Sequence, residues 1–488
     1  MGRRTLRVGI VGAGLGGLAA AIAIARAGAN VTVLEAATEL GEIGAGIQML
    51  PNVSRFLIRW GVDKIISDEL VEHHECCTWA GPEPTLVARS DPKLLAKQAG
   101  FPWWMVRRDH LHAGLTKSAK EHGAKIILGA RVVKMEEVGD TVKIQSHGGQ
   151  SYGFDMVIGA DGINSFVRGQ LFPEAMPIAT SKVAAYRGVL SCKQILAEIP
   201  EARTFLRGTM DVSSGPRGYI VMYPISGGKE LNIVTAFCKD DYVTKPEDAD
   251  IEEFRGYYQD YSPVVQKILK LVNYTQRWPL LQLPPMKSWS NEKHNIVLMG
   301  DAAHCMQNHM AQGAATAIED GAFLGRVISE VVRGTLSVSQ CVELYEQRRM
   351  PKAYLKQQIS FMSGLMNLAE ESIEQRNAAS QPEIRALQEN SLQPAPPSPT
   401  YRSWQYYSSA ESAPNIFYYD AEGDADSAVW EYLMSQGTPS KANFLTDTLK
   451  KYWLGFLHDN GVVAGGANGV CVVPGMEEVD HEKFGNGL

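Results

Sequence analysis

The stretch Gly12-x-Gly14-x-x-Gly17, answered by Glu35, limits the possible folds of this chain more than any other feature. An apolar run of strand length, Leu6 to Val11, leads into the glycines, and an Ala-rich helical stretch from Leu18 to Ala27 follows and stops at Gly28. A second apolar run, Val31 to Leu34, closes on Glu35, so the order is strand, tight turn, helix, strand, acid. Each glycine has a task in that order: Gly12 makes the turn, Gly14 lets the backbone approach a pyrophosphate, and Gly17 lets helix and strand pack closely. The diphosphate would lie against the positive end of the helix dipole, and Glu35 would accept hydrogen bonds from ribose hydroxyls. A bare GxGxxG is weak evidence; with strand, helix and acid in place, the turn is expected to bind a dinucleotide.

A second cluster lies far down the chain. Asn295 to Met299 is a short apolar run ending at Gly300-Asp301-Ala302-Ala303-His304, and Asp155 to Ala160 is a similar run ending at Asp161-Gly162. Such strand ends are where an open α/β sheet binds its ligand. Between these runs, 184–190, 218–224 and 231–237 read as antiparallel strands of an inserted sheet. Tyr219, Val221 and Tyr223 share one face of their strand, where Arg187 from a neighbouring strand can meet them. The expected fold is α/β: a Rossmann-like domain over 1–180 and 284–330, a substrate-binding sheet domain over 181–283, and long helices over 331–392. Residues 393–488 are expected to be a Pro-rich linker and an extended surface tail.

At 488 residues and 45% hydrophobic, the chain can bury a large core and is too long for one dinucleotide unit. A net charge of −7 with dispersed Lys and Arg gives no basic stripe, so nucleic acid is not an expected partner. The seven cysteines form no CxxC and no zinc-spaced array, which reads as reduced thiols in a cytoplasmic protein with no metal. The apolar stretch 8–25 has its glycines where a phosphate turn needs them, and no other run of about 18 apolar residues exists, so no membrane insertion is expected.

Taken together with Gly44-Ala45-Gly46-Ile47-Gln48, Arg108, Tyr186-Arg187-Gly188, Ala311-Gln312-Gly313-Ala314 and Glu319-Asp320-Gly321, these motifs identify a resemblance. In order and spacing, over about Leu6 to Met366, the chain resembles the single-component FAD-dependent aromatic hydroxylases, nearest the salicylate-hydroxylase-like monooxygenases of fungal secondary metabolism. The resemblance implies FAD as bound cofactor, with Gly12, Gly14, Gly17 and Glu35 at its adenosine end and Asp301 on the ribityl hydroxyls. It implies Gly46 and Ile47 close to the isoalloxazine, Gly313 and Ala314 at a helix start facing the pyrimidine, and Arg108 and Asp161 as further FAD contacts. NAD(P)H would reduce the flavin as a transient co-substrate, because no second GxGxxG follows a strand. Dioxygen would then add to give a flavin C4a-hydroperoxide that passes one oxygen atom to a phenolic or other electron-rich ring.

For catalysis, Arg187 would lower a phenol pKa and Tyr219 would relay its proton; Tyr223, Asn308 and His309 are further substrate-site candidates. Two departures stand out. Asn308 occupies the position of a proline common in relatives, and Asp109 is one residue away from the usual acid of the Arg-x-Asp-Leu pattern, which turns it about 100 degrees on a helix. The same fold also serves oxidases or dehydrogenases that insert no oxygen, and epoxidases. Halogenases usually carry a G-W-x-W-x-I-P segment, which Phe101-Pro102-Trp103-Trp104-Met105 does not reproduce.

Overall fold

The apolar runs that end in glycine or acid assemble into one sheet of five parallel strands, in the order Ile296–Leu298, Met156–Gly159, Arg7–Val11, Asn30–Leu34 and Lys125–Ile127. The computed structural model describes residues 5–41, 44–215, 217–239, 241–368 and 416–436, with two short strands at Val463–Ala464 and Cys471–Val472. Val8, Ile10, Val33, Val157, Ile158, Val297 and Leu298 are inaccessible to solvent, as a parallel sheet covered on both faces requires. Helix Leu15–Arg26 packs against helix Gly313–Arg333. Lys125–Ile127 was not anticipated, because three residues are too few to carry a periodic signal.

The second sheet has eight strands, in the order Glu247–Asp248, Gln276–Gln282, Ile178–Ser191, Glu230–Cys238, Gly218–Ile225, Thr209–Gly215, Glu75–Ala80 and Thr85–Ser90. It is wider than the 181–283 segment, since the hairpin of the last two strands comes from earlier in the chain and joins through parallel pairing with Thr209–Gly215. One face buries Tyr186, Ile220, Met222, Leu231 and Ile233 against Phe254, Tyr258 and Ile268. Alternation then turns Arg187, Tyr219, Val221, Tyr223 and Val234 to the other face, toward the cavity described below. A small sheet of Gly46–Met49, Trp104–Arg107 and Val71–Glu72 completes that neighbourhood.

Helices Gly313–Arg333 and Val338–Leu368 follow as expected, and the Pro-rich linker lies outside the described residues. The expectation of a surface tail needs correction for residues 416–425. Ile416, Phe417, Tyr419 and Ala421 are buried, and Ile416 and Phe417 join Leu50, Trp103, Met310 and Ile359 in one apolar cluster. Their apolar side chains are too few and too closely followed by acids for a periodic signal. The chain divides into two compact units, Met1–Ala425 and Asp426–Leu488; in the latter, Val463–Ala464 pairs antiparallel with Cys471–Val472. Among the described residues, no helix is long and apolar enough to cross a membrane.

Candidate active site

A cavity of about 480 Å³ runs between the two sheets. Gly14, Leu15 and Gly16 line it at the start of one helix, Gly300 and Asp301 at a strand end, and Gly313 and Ala314 at the start of another helix. Two helix N-termini with free N–H groups therefore face one space, which suits a phosphate at one and an electron-rich ring at the other. A Cβ added at Gly14 would meet nothing within 4 Å, so the backbone there is open to a ligand. Gly46, Ile47 and Arg108 line the cavity as well. Gly46 comes so close to the second sheet that a Cβ would lie 2.6 Å from Asn232, and its N–H donates to Asn232 Oδ1 at 2.7 Å.

Other residues of the dinucleotide turn brace it without lining the cavity. Gly12 has φ +103°, and a Cβ there would lie 2.5 Å from the Ala160 carbonyl oxygen; a Cβ at Gly17 would overlap the Gly12 carbonyl oxygen. Glu35 accepts from the Ala13 N–H at 2.7 Å and the Ala37 N–H at 2.8 Å. His112 Nε2 lies 2.7 Å from the Ala13 carbonyl oxygen, a support that sequence inspection missed because a lone helical histidine carries no pattern. Asp161 has local partners that the sequence pattern does not show. Its carboxylate accepts from Ser165 Oγ at 2.5 Å and from the Val167 N–H at 3.1 Å, at the start of helix Phe166–Leu171, while its neighbours Ala160 and Gly162 line the cavity.

From the second sheet, Arg187, Tyr219 and Tyr223 reach the same cavity, and Asn308 and His309 reach it from the turn after His304. Arg187 is not on the strand next to the tyrosines. Strand Glu230–Cys238 intervenes, with Val234 paired to Arg187 on one side and to Val221 on the other. Burial, and then the charge of Arg108, hold the Arg187 guanidinium below its ordinary value, while Tyr223 works the other way. Arg187 Nε is buried without a protein partner among the described residues. Arg108 and Arg187 are the cationic Arg side chains lining the cavity and Asp301 its carboxylate, so its field favours an anion.

Tyr219 Oη lies 2.7 Å from His309 Nδ1, a pairing across 90 positions that no local pattern foretells. Burial pushes the Tyr219 phenol well above its ordinary value and the His309 imidazolium down to about 4, so both are neutral at pH 7. Among the described residues, His309 Nε2 and Asn308 Oδ1 are buried with no protein partner. Tyr223 is likewise pushed up by burial, partly offset by Arg187, and its ring packs with Met105 and Ile225.

Beneath the cavity lies a buried charge cluster that was not foreseen either. Arg349 Nε donates to Asp320 Oδ1 and Arg349 Nη2 to Glu319 Oε2, each at 2.8 Å, and Lys356 Nζ donates to Glu319 Oε1 at 2.7 Å. His304 Nε2 lies 2.6 Å from Asp320 Oδ2, which also accepts from the Gly300 N–H at 3.1 Å. Asn52 Nδ2 reaches Glu319 at 2.6 Å and Gln312 at 3.3 Å. Burial would raise both carboxyls, but Lys356 and Arg349 hold Glu319, and His304 and Arg349 hold Asp320, below the usual carboxylate range. The cluster thus ties the Gly300 turn to the start of helix Gly313–Arg333, the two elements that meet the cavity from the parallel sheet.

Comparison with known proteins agrees with this geometry. The chain is 32% identical over 383 residues to the FAD-dependent monooxygenase OpS4 of Beauveria bassiana, a match covering 74% of this chain and 86% of the relative. It is 31% identical over 360 residues to 3-hydroxybenzoate 6-hydroxylase of Polaromonas naphthalenivorans, covering 71% and 84%. A salicylate hydroxylase solved as a substrate complex shares the fold, with a TM-score of 0.68 at 20% identity over 87% of this chain and 98% of that one. The open cradle at Gly14 and the two helix starts fit FAD. Because the family described as FAD binding domain matches residues 5–358, the chain belongs to it, as an FAD-dependent monooxygenase of the aromatic hydroxylase kind.

Proposed function

We propose that this enzyme hydroxylates a phenolic or similarly electron-rich aromatic compound, using NAD(P)H as reductant and dioxygen as oxygen source. One observation carries the reading: the cavity lined by Gly46, Ile47, Gly313 and Ala314 is also lined by Arg187, Tyr219 and His309. FAD, when bound and reduced, supplies the oxygen-activating chemistry. Gly14, Gly46, Ile47, Arg108, Asp301, Gly313 and Ala314 would hold it, with Gly12, Gly17 and Glu35 shaping the turn beneath and Asp161 acting through the backbone it positions.

The chain's own residues manage the substrate's proton. With the Tyr219 O–H donated to His309 Nδ1, the Tyr219 oxygen keeps a lone pair for a substrate hydroxyl. As the substrate gives its proton to Tyr219 Oη, the tyrosine proton passes to His309 Nδ1, leaving a phenolate and a transient imidazolium; burial of His309 opposes this shift, so the stabilisation of the phenolate must drive it. Arg187 and Arg108 favour that phenolate, since a cation held in a low-dielectric cavity lowers the pKa of a phenol opposite it. The apolar side chains around them limit water near the reacting ring. Tyr223 and Asn308 complete the substrate side of the cavity.

The test is NAD(P)H oxidation over a panel of phenols, with labelled dioxygen and product mass, for the wild type and Arg187→Ala. Label should enter the product, and the variant should lose at least about a hundred-fold in turnover while keeping FAD. Turnover within a few-fold of wild type would remove Arg187 from the chemistry, and a product without label would remove oxygen insertion.

A further inference from the structure

Residues 416–425 lie beyond the stretch that matches the family, which ends at 358, yet they reach the cavity. Phe417 lines it together with Leu50, Leu95, Trp103 and Met310, and these residues form one contiguous apolar cluster. The rings of Phe417 and Trp103 are 5.5 Å apart. What holds Phe417 there is a buried ionic anchor three residues on. Asp420 accepts from Arg59 at 2.7 and 3.0 Å and pairs with Arg55 at 3.2 Å, and Glu422 accepts from Arg59 at 2.6 Å. Both arginines lie on helix Pro51–Arg59, which starts just after the Gly46–Met49 strand that borders the cavity. The arginine side chains are 6–7% exposed. Such shielded, multiply hydrogen-bonded pairs fix geometry far better than surface ion pairs do.

From this arrangement we infer that Phe417 is a specificity-determining residue: it closes the apolar wall of the cavity and limits how far an apolar substituent on the substrate ring can extend. The inference rests on the reading that this cavity holds the aromatic substrate. The wall adjoins the proton-handling pair, because Met310 follows His309 in the chain and lines the same space. A ring whose hydroxyl meets Tyr219 would therefore direct a substituent along Leu50, Leu95 and Trp103 toward Phe417. This wall offers apolar surface and no charge, so the substrate class it takes is a phenol carrying an alkyl, acyl or similar apolar arm. The arm's length is set by a residue that the family's own segment does not supply.

The experiment uses the FAD-loaded enzyme and its Phe417→Ala, Phe417→Leu and Phe417→Trp variants. The leucine variant keeps the comparison open if the alanine variant folds poorly. Probes are 4-methyl-, 4-propyl- and 4-pentylphenol, and dissociation constants are read from the change they cause in the visible flavin spectrum. Phe417→Ala should raise the preference for the pentyl over the methyl arm by about ten-fold, the worth of two newly buried methylenes, Phe417→Leu by less, and Phe417→Trp should lower it. Equal preferences within two-fold across all four proteins would overturn the inference. If no alkylphenol perturbs the flavin in any of them, the phenol reading fails, and labelling by N-ethylmaleimide decides the role of Phe417 by itself. Cys76 lines the same cavity, whereas Cys341 is fully buried elsewhere. Several-fold faster labelling of Cys76 relative to Cys341 in Phe417→Ala would uphold the closing role, and unchanged labelling would overturn it.

Discussion

Replacing Arg349 by Met removes the cation that two buried carboxylates share. Arg349, Glu319 and Asp320 are all fully inaccessible to solvent, and with Lys356 they form a set of two cations and two anions. Breaking such a set by deleting one partner costs about 3–5 kcal/mol, because a charge is left buried with less compensation. The lower end applies here. Asp320 retains His304 and the Gly300 N–H, Glu319 retains Lys356 and Asn52, and the Met side chain refills most of the stem volume. A loss of about 3 kcal/mol lowers the ratio of folded to unfolded protein by roughly a hundred-fold or more. The assay is urea unfolding of the apoprotein followed by tryptophan fluorescence, where a fall in midpoint at constant slope reports stability. Arg349→Lys, which keeps the charge but not the fork that serves both carboxylates, should lose about half as much.

The same variant should show a pH signature of known sign. The folded-state pKa values of Glu319 and Asp320 are depressed, so their contribution is fully present above the unfolded values of about 4 and is lost as pH falls through the folded values. The gap between wild type and Arg349→Met should therefore be widest at neutral pH and narrow below about pH 4. FAD affinity should fall about ten-fold as well, since the cluster sets both the Gly300 turn and Gln312 at the start of the helix facing the cavity. A midpoint within about 1 kcal/mol of wild type, or a gap that stays constant down to acid pH, would refute the account of these charges as a structural unit.

Gly14→Ala and Gly17→Ala separate ligand space from fold. Gly14 has φ −70°, ψ 179° and open space, so apoprotein stability should change by no more than about 1 kcal/mol while FAD retention on gel filtration drops; Gly17→Ala, which overlaps the Gly12 carbonyl oxygen, should lose both. His309 has its pKa lowered to about 4 from an ordinary 6.5, so folding favours its neutral form, and stability should fall as pH drops from 6.5 through 4. Melting curves of His309→Gln should be flatter across that window, and identical pH profiles would count against the burial of a neutral imidazole. Asn308→Pro should fold normally: Gln307 at φ −59°, ψ 155° already has the extended conformation that precedes proline, and Asn308 opens a short helical turn where a missing N–H is tolerated. Its melting point should equal or slightly exceed that of wild type, and a loss above about 1 kcal/mol would show that Asn308 makes a contact that proline cannot replace.

Local pattern made much of this molecule legible. The strand, turn, helix and acid around Gly12 predicted the centre of the parallel sheet, and the glycine or acid at three strand ends predicted which loops would face a common space. The two-residue period put Tyr219, Val221 and Tyr223 on one face of the second sheet. What escaped was set by contacts distant in the chain. Nothing in 75–90 says that its hairpin extends a sheet formed mostly by 178–282, because a parallel pairing leaves no turn signal to read. Arg349 and Lys356 look like surface residues of a long helix, and Asn52 like a polar residue after a glycine cluster, until the fold buries them together. Asp161 shows another limit of local pattern: a carboxylate at a strand end reads as facing a ligand, and the fold also gives it local partners in Ser165 Oγ and the Val167 N–H that no pattern announces.

The departure at Asn308-His309 becomes intelligible when it is set against the sheet. Burial disfavours a charged His309 and leaves its neutral ring needing a polar partner. Tyr219 supplies that partner at 2.7 Å. The segment between Cys305 and Gln312 also delivers Met310 to the apolar wall and Gln312 to the charge cluster, so it connects three regions within a few residues. Stiffness there need not come from a proline, because side chains on three sides hold the turn. Tyr219 and His309 are then a matched pair: removing the tyrosine hydroxyl would leave His309 Nδ1 buried without this partner. The cost of Tyr219→Phe should accordingly shrink when His309 is also changed to Leu, a non-additivity of about 1 kcal/mol or more in a double-mutant cycle on urea midpoints. Strict additivity would mean that the two side chains only happen to be neighbours, and that the loop owes its shape to Met310 and Gln312 alone.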